Sequence, residues 1–215
     1  MIHILLQACS SLFEAHSQGL VHRDIKPANI MLNRRGGESD VVKVLDFGLV
    51  KAIDDQKNAS RTSAGGLTGT PLYMSPEAIQ SPLSVDARSD LYGLGAVGYF
   101  LLTGQSVFVA ENIVELCQKH VDEVPVAPSE RLGKKVSGEL ENALLACLEK
   151  SRAKRPQTAR DLAQLLAQCP EASDWSIEKA DAWWRKYERG RGTESLSPDE
   201  STTNQSRYDQ TIDSN

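Results

Sequence analysis

The chain has 215 residues, 25% of them charged and 40% hydrophobic, with a formal net charge of −5. That is enough for one domain of ordinary size and a tail, with the balance of a soluble globular protein. The acidic balance offers no general attraction to nucleic acid or anionic lipid. The four cysteines, Cys9, Cys117, Cys147 and Cys169, are too scattered for a Cys-x-x-Cys zinc site or a disulfide scaffold. A reducing, cytoplasmic setting is therefore expected. The longest apolar run, 91–102, is too short and glycine-rich to span a bilayer.

Residues 2–18 predict an amphipathic helix. Ile2, Leu5, Leu6, Cys9, Leu12, Phe13 and His16 fall near helical spacing, and Gly19 stops it. No Ser, Thr, Asp or Asn caps its start. The next stretch is Val21-His22-Arg23-Asp24-Ile25-Lys26-Pro27-Ala28-Asn29-Ile30. Pro27 has no amide hydrogen and pushes Lys26 out of helical angles, so this is a loop. Asp24, Lys26 and Asn29 thus sit between packed elements, where binding and catalytic groups concentrate.

Residues 31–45 predict two short strands, with 33–40 supplying the turn and 41–45 the second strand. Asp46 closes that strand, followed by Phe47 and Gly48. Two acids, an amide and a lysine are the groups that a metal-bound phosphate requires. Hard oxygens hold Mg²⁺, a carboxylate accepts a hydroxyl proton, and a cation neutralises phosphate charge.

Residues 51–69 are polar and small without periodicity, the mark of a functional or disordered segment. Gly69-Thr70-Pro71-Leu72-Tyr73-Met74-Ser75-Pro76-Glu77 follows. Residues 86–102 predict a helix buried on most sides, with Asp90 near its start, where the helix dipole favours a carboxylate. Gly93, Gly95 and Gly98 satisfy Gly-x-Gly-x-x-Gly. The residues before them are polar rather than a strand, so close helix packing is expected instead of a dinucleotide loop. Further helices are predicted at 112–120, 137–150 and 158–168, the last with Thr158 as its cap, and an extended linker at 124–128. Arg155 ends a basic stretch before Pro156.

The domain edge is expected at Cys169-Pro170. Residues 174–189 predict one more helix holding Trp175, Trp183 and Trp184, more readily docked on the domain than exposed for a partner. Residues 190–215 have the composition of a disordered tail. The expected division is 1–169, 170–189 and 190–215.

The His22–Asn29 stretch and Asp46-Phe47-Gly48 together resemble the catalytic loop and Asp-Phe-Gly motif of the protein kinases, of bacterial Ser/Thr type. Residues 69–77 resemble the family's Gly-Thr-to-Pro-Glu segment, which small-molecule kinases usually lack. The resemblance implies a mainly α large lobe, over about 2–168, with a two-stranded element at the catalytic face. It implies ATP and Mg²⁺ as cofactors and protein Ser/Thr hydroxyls as substrates. By position, Asp24 is the catalytic base, Lys26 contacts the transferred phosphate, and Asn29 and Asp46 hold Mg²⁺. Arg23 meets a phosphate carried by the polar loop, on Thr68 or, second, Thr62 or Ser63, and Thr70 faces the substrate site. His22, Phe47, Gly48, Glu77, Asp90 and Arg155 are structural: Asp90 bonds the catalytic-loop backbone, and Arg155 pairs with Glu77. The family's glycine-rich loop, strand lysine and hinge have no counterpart in these residues. The chain is therefore expected to begin mid-domain without the β-rich small lobe, and an upstream lobe or a partner is the expected complement. This piece alone is expected to be inactive, and the alternative reading is a non-catalytic protein-binding module derived from a kinase.

Overall fold

The computed structural model describes residues 1–47 and 71–192, with side chains described as far as 187. These fall into two compact units, Met1–Ser176 and one that starts at Ile177. The first is mainly helical. It contains α1 (Ile2–Ser17), β1 (Ile30–Arg35), β2 (Glu38–Val44), α2 (Pro76–Gln80), α3 (Ala87–Thr103), α4 (Ile113–Asp122), α5 (Pro128–Leu132), α6 (Gly138–Cys147) and α7 (Ala159–Ala167). The second contains α8 (Ile177–Gly192). Among the described residues the sheet has two strands, β1 and β2, paired antiparallel.

Helix starts follow local chemistry. Asp86, Asn112 and Ser137 cap α3, α4 and α6 by accepting backbone N–H bonds, and Thr158 forms a reciprocal capping box with Asp161 at α7. α1 has no side-chain cap. The core joins one face of α1 (Ile2, Leu5, Ala8, Cys9, Leu12) to α3, α6 and α7, and reaches Ile25 in the loop after α1 and Val44 at the end of β2. A satellite cluster gathers Tyr92, Ala96, Tyr99, Val107, Phe108 and Leu148. The four cysteines are buried thiols.

The α3 glycines serve packing. A Cβ on Gly95 would overlap Cys147 Cβ, and one on Gly98 would lie 2.6 Å from Leu144 Cδ2. One on Gly93 would crowd the backbone and Cβ of Ile25 at 3.1 Å. The absent side chains let α6 and the loop carrying Ile25 lie directly on α3.

Four boundaries differ from the sequence-based expectations. The hairpin turn is tighter than 33–40, because Gly36 and Gly37 both take positive φ and reverse the chain in two residues. Pro128 begins α5 instead of ending a linker, since proline suits the first helical position. The last helix starts at Ile177 rather than 174: Pro170–Asp174 is a 3₁₀ turn, and Trp175 is extended. The expected edge at Cys169–Pro170 lies inside the first unit, where Cys169 is buried and Ala172 packs on the main core.

Candidate active site

Asp90 organises the site. It sits in the first turn of α3, 1% exposed. Its Oδ2 accepts from the His22 amide and its Oδ1 from the Arg23 amide, both at 2.8 Å. His16, near the end of α1, donates Nε2–H to Oδ2 at 2.8 Å. Three donors thus meet one buried carboxylate and tie the end of α1 to the loop that follows. Arg23 itself has φ +67, a left-handed conformation that a non-glycine residue adopts only when held.

His22 connects the two motif segments. Its Nε2 lies 2.7 Å from the Leu45 carbonyl, which can only accept, and its Nδ1 accepts from the Asp24 amide at 3.3 Å. One tautomer of the ring satisfies both bonds. Phe47 packs edge-on against the same ring at 4.9 Å.

The polar cluster stands in front of this frame. Lys26 Nζ is 2.6 Å from Asp24 Oδ2, and these side chains are 24% and 37% exposed. Asn29 is buried and donates Nδ2–H to the Asp24 carbonyl at 2.8 Å and to Asp24 Oδ2 at 3.3 Å. That fixes the amide so that its oxygen is the atom left to meet a cation. β1 begins at Ile30, which pairs with Val44, and the Leu45 amide donates to the Asn29 carbonyl at 2.8 Å. Asp46 is therefore delivered one residue past a bond to Asn29. It is exposed and has φ +62. Asn29 and Asp46 supply hard oxygen donors, the kind that suits Mg²⁺. A site of one carboxylate and one amide leaves most of the coordination to phosphate oxygens and water.

Behind the site, Glu77 and Arg155 form a buried, bidentate pair at 2.7 and 2.8 Å. Ser89 Oγ donates to Glu77 Oε1 at 2.5 Å. The Arg155 guanidinium also stacks over Tyr92. Burial alone would raise the Glu77 pKa. The bonds from Arg155 and Ser89 outweigh it and hold the carboxyl below its usual range.

Gly48, Thr62, Ser63, Thr68 and Thr70 lie outside the described residues. The structure brings Asp24, Lys26 and Asn29 together, delivers Asp46 beside them, and gathers Asp90, Glu77 and Arg155 behind. Sequence reasoning missed His16 as a partner of Asp90 and Ser89 as a partner of Glu77. His16 falls on the apolar face of α1, which hid its polar role. Ser89 directly precedes Asp90, a signal that could have been used.

Residues 1–167 match the model of the protein kinase domain. The chain is 41% identical over 161 residues to the serine/threonine-protein kinase PknB of Mycobacterium leprae, covering 75% of this chain and 25% of that protein. It is 42% identical over 161 residues to PknB of Mycolicibacterium smegmatis, with the same coverage. It is 41% identical over 161 residues to the serine/threonine-protein kinase pkn3 of Myxococcus xanthus, covering 74% of this chain and 29% of that protein. The chain thus spans a quarter to three-tenths of the length of these relatives. No helix among the described residues is long and apolar enough to cross a membrane. With the family match covering the whole span from α1 to α7, and the loop, strand-end acid and buried ion pair all within it, the chain belongs to the protein kinase family.

Proposed function

We propose that the chain is the catalytic large lobe of a cytoplasmic Ser/Thr protein kinase, which moves a phosphoryl group from ATP to Ser or Thr hydroxyls of protein substrates. The observation that carries this reading is the Asp24–Lys26–Asn29 cluster with Asp46 one residue beyond the Leu45–Asn29 bond. Asp24 receives the hydroxyl proton, its carboxylate steered by Asn29. Lys26 shifts from Asp24 toward the transferred phosphate as negative charge arrives. Asn29 and Asp46 hold Mg²⁺ through oxygen. When bound, Mg²⁺ with ATP supplies the phosphoryl group and offsets its charge. Residues 1–215 contain no counterpart of the family's nucleotide-covering loop, strand lysine or hinge, so activity is assigned to a protein that also carries a small lobe.

The test is labelled-phosphate transfer by such a protein. Asp24→Asn is expected to lose about 10²- to 10⁴-fold in rate while keeping Mg-ATP binding. Transfer at the parent rate would remove Asp24 from its role. Arg23 is exposed beside Asp24 and is assigned to a phosphate on Thr68, with Thr62 and Ser63 as second choices. Mass spectrometry of active protein with these three unmodified would overturn that assignment.

A second reading is a non-catalytic binding module. It rests on α8, where Trp183 and Tyr187 stack at 5.0 Å while 52% and 42% exposed. Absence of transfer in a two-lobed protein, with partner capture lost in Trp183→Ala, would favour it.

A further inference from the structure

We propose that Trp175 is a positioning residue for the metal-binding end of β2, and that Pro170–Asp174 with Trp175 forms a strap on the lobe. The proposal rests on the kinase reading only for what Asp46 does. Trp175 lies beyond the matched span 1–167, so the family match does not account for it.

One side chain here holds two elements that feed the site. Trp175 Nε1–H donates to Asp40 Oδ2 on β2 at 2.9 Å. Its ring lies face to face on His3 of α1, 3.8 Å between centroids and 8° from parallel. α1 leads into the catalytic loop, and β2 leads to Asp46. The strap is anchored at its other end as well. Glu171 accepts from Ser137 Oγ at 2.7 Å and from the Ser137 amide at 3.3 Å, and Ala172 packs on the main core.

Asp40 is where β2 most needs holding. The pairing runs regularly from Ile30 with Val44 to Asn33 with Val41, then jumps to Arg35 with Glu38. Ser39 and Asp40 thus face the single residue Arg34, which is a β-bulge. Asp40 has φ +60, a strained conformation for a non-glycine residue. Gln7 of α1 grips the bulge through the main chain, donating Nε2–H to the Asp40 carbonyl at 2.8 Å and accepting from the Val42 amide at 3.0 Å. Trp175 grips it through the side chain. Beyond the bulge, strand register acts with the Leu45 bonds to Asn29 and His22 to set where Asp46 emerges, and a slip of one residue would turn every side chain to the other face.

The test is hydrogen exchange on the full chain, read at the amides of 42–45. Trp175→Ala is expected to speed exchange there by roughly tenfold while amides of α3 and α6 change less than about twofold. Trp175→Phe keeps the ring but loses the N–H donor, and should fall between. Asp40→Asn keeps an acceptor and tolerates positive φ, so it should behave like wild type, whereas Asp40→Ala loses the bond but keeps the stack on His3 and should speed exchange at least as much as Trp175→Phe. Trp183→Ala is the control, with no effect on 42–45. In a two-lobed kinase, Trp175→Ala should raise the Mg²⁺ concentration for half-maximal transfer several-fold and leave the peptide KM unchanged. Unchanged exchange at 42–45, or a rise spread equally over α3 and α6, would overturn the proposal. Failure of the wild-type two-lobed protein to transfer phosphate would count against the kinase reading alone, because the exchange data judge the strap without it.

Discussion

Arg155 is expected to be among the costliest side chains in the lobe to remove, and the structure gives the size of the effect. Its side chain is fully buried, yet all five guanidinium N–H groups have acceptors. Nε donates to the Glu149 carbonyl at 2.7 Å. Nη1 donates to Glu77 Oε1 at 2.7 Å and the Arg88 carbonyl at 3.2 Å. Nη2 donates to Glu77 Oε2 at 2.8 Å and the Lys150 carbonyl at 3.1 Å. Arg155→Ala leaves a buried carboxylate without its cation and three carbonyls without a donor. Breaking a buried pair from one side costs about 3–5 kcal/mol. Glu77→Gln keeps the shape but sets an amide N–H against Nη2–H, and should cost about 2–3 kcal/mol for the lost charge-assisted bond. Arg155→Met with Glu77→Leu removes both charges together, so it should cost about 2 kcal/mol less than the sum of Arg155→Met and Glu77→Leu made singly. Urea unfolding, read as midpoint shifts at constant slope, measures all four corners of the cycle. The pH dependence has a definite sign. The Glu77 carboxyl titrates lower when folded than unfolded, so its contribution is complete above the ordinary glutamate range near ~4.3. It drains as pH falls through the folded value, and Glu77→Gln should flatten that acid limb. A cost under about 1 kcal/mol for Arg155→Ala, or strict additivity in the cycle, would refute this account.

Other outcomes follow from the same packing. His120 is fully buried with Nδ1 bonded to Tyr92 Oη at 2.8 Å. Burial, and next the charge of Lys150, lower its pKa to about 4, with the Leu72 backbone opposing. A base held neutral in the fold costs stability as pH drops from about 6.5 to 4, where the unfolded chain takes up the proton first. The loss is about 3 kcal/mol, and His120→Gln should remove that slope in urea melts across the window. Gly95→Ala should cost about 1–3 kcal/mol, because its Cβ meets Cys147 Cβ beside backbone. Gly98→Ala meets the flexible ends of Leu144 and Leu5 and should cost less, which thermal melts of the two variants will compare.

The helices of the main core were legible because their apolar spacing and caps are local. Asp86, Asn112, Ser137 and Thr158 each stand directly before the run they cap. The candidate site loop was legible for the same reason: Pro27 keeps Lys26 out of an α-helix, leaving only a 3₁₀ turn at Pro27–Asn29, and Asp24, Lys26 and Asn29 lie within six residues. The glycines of α3 were read as packing from the polar residues before them. What escaped is contact between distant segments. Ser39 and Asp40 look like turn residues, and only the partner strand makes them a bulge. Trp175 falls within a helical pattern with Trp184 behind it, but its bond to Asp40 and its stack on His3 keep it extended, out of the helix. His16 to Asp90 joins residues from two helices, and no periodicity in either announces it.

The bonds around the site offset the strain of its left-handed residues. Arg23, Asp40 and Asp46 are the described non-glycine residues with positive φ, and two of them flank the chemistry. Each left-handed residue costs about 1–2 kcal/mol. Against the Arg23 strain stands the Asp90 carboxylate, which accepts the His22 and Arg23 amides and His16 Nε2–H. Hydrogen bonds to a charged group are worth about 1.5–3 kcal/mol each, so even two of them exceed the strain. For Asp46 the support comes through the residue before it, which is held from two sides. The Leu45 amide donates to Asn29, and the Leu45 carbonyl accepts from His22. The strain at Asp46 is thus met by bonds that lead back through His22 to Asp90. A single buried carboxylate on α3 therefore fixes the loop at 22–24 and, through His22, the strand end at Leu45, and losing it should disturb Asp24 and Asp46 together.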